Sequence, residues 1–115
     1  MDFLVIELAA RDRLTSAGAE LIGGAWRLAS ASGGAVSVAV LGENVAEACR
    51  GAVAFGAGRV YAVESPLLVN YDAERYLAAA ELAARESGAS AVLFVADAFT
   101  AELAPRLAYR LGTAR

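Results

Sequence analysis

Three carboxylates, Glu7, Glu64 and Asp97, are the side chains of this sequence best placed to do chemistry. Each follows a short aliphatic run that reads as a strand. Acids gathered at three strand ends could hold Mg²⁺ with the help of water, or work as an acid–base pair. The plainer expectation is that they are exposed acids near strand ends and helix N-termini, where the helix macrodipole favours negative charge. The hydroxyls of Ser30, Ser32, Ser65 and Thr100 have no base to activate them, because the chain contains no His and all ten of its basic residues are Arg. Without imidazole there is no Ser-His-Asp triad, no Cys-His pair and no side chain that ordinarily titrates near neutrality. Without Lys there is no Schiff base, no P-loop lysine and no receiver-domain lysine. Cys49, between Ala48 and Arg50, reads as a small core or flank residue. The composition argues against an enzyme with catalytic side chains of its own; no residue is assigned as catalytic, cofactor-binding or metal-ligating.

The elements that must position these groups follow from two alternating periods. Near-continuous apolar runs at Phe3 to Ile6, Val36 to Leu41, Val60 to Val63 and Ala91 to Val95 suit parallel strands covered on both faces. Ala-rich segments of helical length lie between them. The first is predicted from Thr15 or Ser16 to Gly33-Gly34, with Leu21, Ala25 and Leu28 inward. The second runs from about Val45 to Phe55. The third follows the N-cap Asp72, turns Leu77, Ala80 and Ala84 inward and stops at Ser87-Gly88. The fourth runs from about Thr100 to Leu111, with Gly112 as terminator. The β-α-β-α-β-α-β-α order predicts a three-layer, Rossmann-like α/β fold: an open parallel sheet with helices on both faces. Gly18, Gly23 and Gly24 inside the first helix are expected to mark close approach to the sheet or to another helix. Pro105 is expected to kink the last helix or delay its start.

In such a sheet, ligands bind beyond the carboxyl ends of the strands. No tip carries GxGxxG or GxxxxGK[ST], so a stand-alone dinucleotide site is not expected, and Gly42 reads as a turn residue. Among the aromatics, Trp26 is the one expected to be a surface anchor rather than a packing residue. Thirteen acids against ten bases give a net charge of −3, which disfavours nucleic acid and anionic membrane as partners. A length of 115 residues predicts one domain, and one cysteine predicts a reducing, cytoplasmic setting. The Met1-Asp2 start and the lack of a long apolar run predict neither export nor membrane insertion.

Two segments carry a family resemblance. Gly56-Ala57-Gly58-Arg59-Val60-Tyr61-Ala62-Val63-Glu64, with Pro66-Leu67-Leu68, Tyr71 and Asp72-Ala73-Glu74 after it, is similar to the N-terminal domain of the electron transfer flavoprotein alpha subunit. Ala98-Phe99 with Leu103-Ala104-Pro105-Arg106-Leu107-Ala108 and Leu111-Gly112-Thr113 resembles that family's signature helix. The resemblance implies a heterodimeric FAD-containing carrier that takes electrons from dehydrogenases, such as those acting on acyl-CoA in fatty acid oxidation, and passes them to a membrane quinone reductase. It implies that FAD is held by a C-terminal domain of alpha absent from this chain, and that the partner beta subunit binds AMP. This domain then builds the subunit interface, with Phe99, Pro105, Arg106 and Gly112 as structural or interface positions.

Two loops depart from the family pattern. Leu8-Ala9 stands where relatives have a Glu-His pair, with Glu7 one place early, and Thr100-Ala101 stands where relatives have Gly and a basic residue. In the family a further strand pairs beside the fourth, so Val92 to Val95 is expected to be an uncovered edge that invites self-association. The alternative reading is a stand-alone nucleotide-binding or sensor domain of universal-stress type, using AMP or ATP. A small-molecule enzyme built on a metal between Glu7 and Asp97 stands third.

Overall fold

The structure, a computed structural model, describes residues 1–9, 12–95 and 98–112. Its elements are β1 (Phe3–Leu8), α1 (Ser16–Ser32), β2 (Val36–Gly42), α2 (Ala46–Ala54), β3 (Arg59–Glu64), a 3₁₀ turn (Pro66–Leu68), α3 (Ala73–Ser87), β4 (Ala91–Phe94) and α4 (Ala98–Arg110). All strand pairings are parallel, in the order β3-β2-β1-β4. The chain moves outward from β1 to β2 and β3, then crosses back to the other side of β1. Reversing direction puts successive crossovers on opposite faces. Accordingly α1 and α2 cover one face and α3 and α4 the other, the predicted three-layer Rossmann-like arrangement.

Alternation along the strands supplies both cores. Leu4, Ile6, Ala39 and Leu41 pack with Leu77, Ala80, Ala83, Leu103 and Leu107, whereas Phe3, Val5, Val36, Val38 and Val40 pack with Ile22, Ala25, Ala29, Ala48 and Ala52. The alanines let α1, α2 and α3 lie close to the sheet. Caps sit where local chemistry places them: Thr15 and Asp72 accept from amides of the first turns of α1 and α3, and Gly33 and Gly88 end those helices in the left-handed conformation.

Several expectations are corrected. The inward stripe of α1 is Gly18, Ile22, Ala25 and Ala29. Leu28 falls about a quarter turn off that line and is 59% exposed, while Leu21 is half-buried. Of Gly18, Gly23 and Gly24, only Gly18 is closely approached. A Cβ at Gly23 or Gly24 meets nothing nearer than the Arg27 guanidinium at 3.9 and 3.8 Å, because the sheet contact runs along the Ile22–Ala25–Ala29 line beside them. Gly42 is the last residue of β2 rather than a turn residue; a Cβ there would stand 3.0 Å from the Ala9 carbonyl and 3.3 Å from Val45 Cγ1. The α4 helix starts before Thr100 and carries Pro105 in its interior, so the proline does not delay its start.

Candidate functional site

The carboxyl edge of the sheet is where this topology offers a ligand site, and its acids take up structural work there. Glu7 is corrected from exposed to buried: it is 2% exposed at the end of β1, facing the entry of α1. Its Oε1 accepts from the Thr15 backbone N–H at 3.0 Å and from the Thr15 hydroxyl at 2.9 Å. The same hydroxyl accepts from the Gly18 N–H at 2.9 Å. The carboxylate thus orients the N-cap, and the N-cap holds the first turn. Gly18 is what admits it, since a Cβ there would lie 2.2 Å from Glu7 Oε1.

The N-terminus of α2 is closed in a similar way by groups from outside the helix. Its N-cap, Val45, has no side-chain oxygen to offer. Glu64 Oε2, at the end of β3, accepts from the Val45 N–H at 3.1 Å. Asp12 Oδ1 accepts from the N–H groups of Glu47 and Ala48 at 3.0 and 3.4 Å. Asp12 reaches them from a left-handed backbone conformation, φ 47°, a region where Asp is tolerated better than most residues. The sequence reading gave Asp12 no role; its position after β1 was visible, but its contact with α2 crosses 35 residues.

This arrangement decides what chemistry the carboxylates can do. Glu7 and Glu64 are committed to different helices, Asp97 lies outside the described residues, and among the described residues no three His, Cys, Asp or Glu side chains form a metal-binding group. A phosphate at the α2 N-terminus would meet carboxylates already bonded to its amides, and one at the α1 N-terminus would meet the Glu7 carboxylate on the Thr15 N–H. At the switch point beside β1, a depression of about 410 Å³ lies between α1 and β4, lined by Ala17, Glu20, Leu21, Phe94 and Val95, and its charged group is again an acid. These residues do not fit the diphosphate of a flavin dinucleotide, and no step through such a cofactor is assigned to them.

Cys49 is half-buried against the α1–α2 core, where burial pushes its thiol above the ordinary range and away from reactivity. Ser65 caps the 3₁₀ turn by accepting from the Leu67 N–H, and the Thr100 hydroxyl donates to the Val95 carbonyl at 2.6 Å. Ser32 donates to the Ala29 carbonyl. Trp26 is 53% exposed on α1, as expected of a surface aromatic, with its ring edge near Gly56.

The segments that carry the family resemblance meet on the other face. Phe99 stacks on Tyr71 with ring centroids 4.1 Å apart and planes 11° from parallel, and Tyr71 in turn leans on Tyr76. The Tyr71 hydroxyl donates to Glu102 at 2.8 Å, and the Tyr76 hydroxyl donates to the Leu68 carbonyl at 2.6 Å. Arg106 lies 3.7 Å from Glu74 of α3 and 3.6 Å from Glu102, one turn back on its own helix. Arg110 bridges Glu74 and Glu81, and Arg85 joins Glu81 to the Arg110 carbonyl. Gly112 follows α4 with φ 75°. The seam between α3 and α4 is therefore aromatic at one end and ionic along its exposed side.

Fold and site define a Rossmann-like α/β domain whose carboxyl edge is closed by its own side chains and whose last helix is tied to the third. The electron transfer flavoprotein domain model matches residues 2–114. The chain is 37% identical over 101 residues to the electron transfer flavoprotein subunit alpha of Thermoanaerobacterium thermosaccharolyticum, covering 88% of this chain and 31% of that protein. The chain belongs to the electron transfer flavoprotein family, as an alpha-type N-terminal domain. It spans about a third of the length of the curated relative it matches.

Proposed function

We propose that this chain is the subunit-interface domain of a flavoprotein electron carrier: a packing platform that holds no flavin and contributes no catalytic side chain. The observation that carries this reading is the closure of the α1 and α2 N-termini by Glu7, Asp12 and Glu64. A domain that bound the dinucleotide itself would keep those amides for phosphate. In the whole carrier, FAD sits in the remainder of the alpha subunit and AMP in the beta subunit. Electrons enter from dehydrogenases such as those acting on acyl-CoA and leave to a quinone reductase, in the cytoplasm. Pro105, Arg106 and Gly112 shape and anchor α4, and Phe99, 49% exposed after stacking on Tyr71, offers its outer ring face to a partner.

The test is binding by the 115-residue chain, first alone and then with the beta subunit. The purified chain is expected to be colourless after incubation with FAD and to co-purify with an electron transfer flavoprotein beta subunit. A yellow protein retaining one FAD per chain overturns the reading. Calorimetric titration with AMP addresses the universal-stress alternative: saturable binding at one site per chain favours it, and no heat is expected here.

A further inference from the structure

The fourth helix is held differently from the other three. α1, α2 and α3 lie directly on strands of the sheet, whereas α4 rests chiefly on α3. Among the described residues of α4 only Thr100, Leu103 and Leu107 are buried, and spacings of three and four put them on one line along the helix. Leu103 and Leu107 join the core of Leu4, Ile6, Leu77 and Ala80. Pro105 lies between these two anchors and has no N–H to give to the Ala101 carbonyl, so that turn lacks one of its backbone hydrogen bonds. The strand that leads into α4 is itself lightly held: β4 has four residues and stands at the edge of the sheet, paired with β1.

The two ends of α4 are fastened by different chemistry. At its start, Phe99 stacks on Tyr71 and Glu102 accepts from the Tyr71 hydroxyl. At its end the fastening is ionic. Arg110 is 3.2 Å from Glu81 and 3.7 Å from Glu74, both on α3, and its carbonyl accepts from the Arg85 guanidinium at 3.1 Å. Among the described residues, every ion pair that crosses the seam has its arginine on α4 and its acid on α3, the third being Arg106 with Glu74. A single exposed ion pair contributes little, but one residue that joins two acids in a network holds more. Arg110 is that residue, and it sits beyond the Pro105 gap, where Leu111 adds only a half-buried side chain to the core.

We propose that α4 opens from α3 as a unit while the α1–α2 face and the centre of the sheet stay folded, with Arg110 as the latch that sets how often it opens. The open form uncovers the part of the core that Leu103 and Leu107 fill. This goes beyond the carrier reading and does not depend on it, since it uses no cofactor and no partner chain. Native-state hydrogen exchange tests it, read residue by residue by NMR on the 115-residue chain under conditions where closing outruns exchange. Amides of α4 are expected to exchange at least about tenfold faster than the most protected amides of β1 and β2. The deciding variant is I22V, on the opposite face of the sheet. Because α1 is folded in both the closed and the α4-open forms, I22V weakens both alike against the unfolded chain. It is therefore expected to speed exchange in β1 and β2 about fivefold and to leave α4 unchanged. R110Q removes contacts made only in the closed form and is expected to speed α4 exchange about fivefold. In an E74Q/E81Q chain the same substitution is expected to change it by less than about twofold, its partners being gone. Amides of α4 as slow as those of β1 and β2, or speeded by I22V as much as those strands are, overturn the proposal. So does α4 exchange that R110Q leaves unchanged, or an R110Q effect that persists in full without Glu74 and Glu81, since either result removes the latch.

Discussion

Replacing Gly18 by alanine should destabilise the domain, although helix propensity alone says the reverse. In an ordinary helix interior the change gains about 1 kcal/mol. Here the new Cβ would stand 2.2 Å from Glu7 Oε1. A carbon and an oxygen rest at about 3.3 Å, so the carboxylate oxygen must retreat by about 1 Å. It accepts from Thr15 at 2.9 and 3.0 Å, and a retreat of that size takes both contacts beyond hydrogen-bonding range. Glu7 is 2% exposed, so water replaces those bonds poorly. Two hydrogen bonds to a charged group are worth about 1.5–3 kcal/mol each, and allowing for relaxation and the propensity gain leaves a net cost of about 2–3 kcal/mol. In a domain of this size that lowers the melting temperature by about 10 °C. The assay is urea unfolding followed by circular dichroism on the parent, G18A, E7A and the double variant. With the carboxylate gone, G18A is expected to be neutral or to stabilise by up to about 1 kcal/mol, giving a coupling energy of about 3 kcal/mol. A G18A chain as stable as the parent, or a G18A cost unchanged in the E7A background, refutes the account of Glu7 as the group that needs this glycine.

Three further predictions concern the other face. Hydrogen bonds from Arg85 and Arg110 hold the Glu81 carboxyl below its ordinary value of 4.5, so its contribution to stability is present above that pH and lost as the pH falls through the lowered folded value; the stability difference between the parent and E81Q should therefore shrink in acid unfolding curves below that point, and a difference that grows there contradicts the ion-pair network. Tyr76→Phe removes the donor to the Leu68 carbonyl and should cost about 1 kcal/mol in urea unfolding; a neutral result means that this buried hydroxyl contributes nothing. Pro105→Ala restores an amide inside α4 and should raise stability by about 1–2 kcal/mol, seen as a higher denaturation midpoint at unchanged slope; a loss would show that α4 depends on the proline for its packing.

The order of elements, their approximate ends and the three-layer class were all legible in the linear sequence. They depend on interactions within a turn or a strand: apolar periodicity, Thr15 and Asp72 bonding amides three residues on, and Gly33 and Gly88 adopting a conformation that costs other residues more. The family was legible for the same reason, because contiguous segments carry its pattern. The missing His and Lys also removed most catalytic roles without any structure. What tertiary structure decided was where each polar group goes. Glu7 is acidic and follows a strand, which describes an exposed tip or a metal ligand as well as the buried clamp it is. Asp12 and Glu64 converge on α2 from 35 and 19 residues away, and Tyr71 meets Glu102 across 31. The inward line of α1 likewise turned on helix phase against the sheet, which put Ile22 inside and Leu28 out. Such choices depend on how crossovers place loop beside loop, and residue type and spacing do not encode that distance.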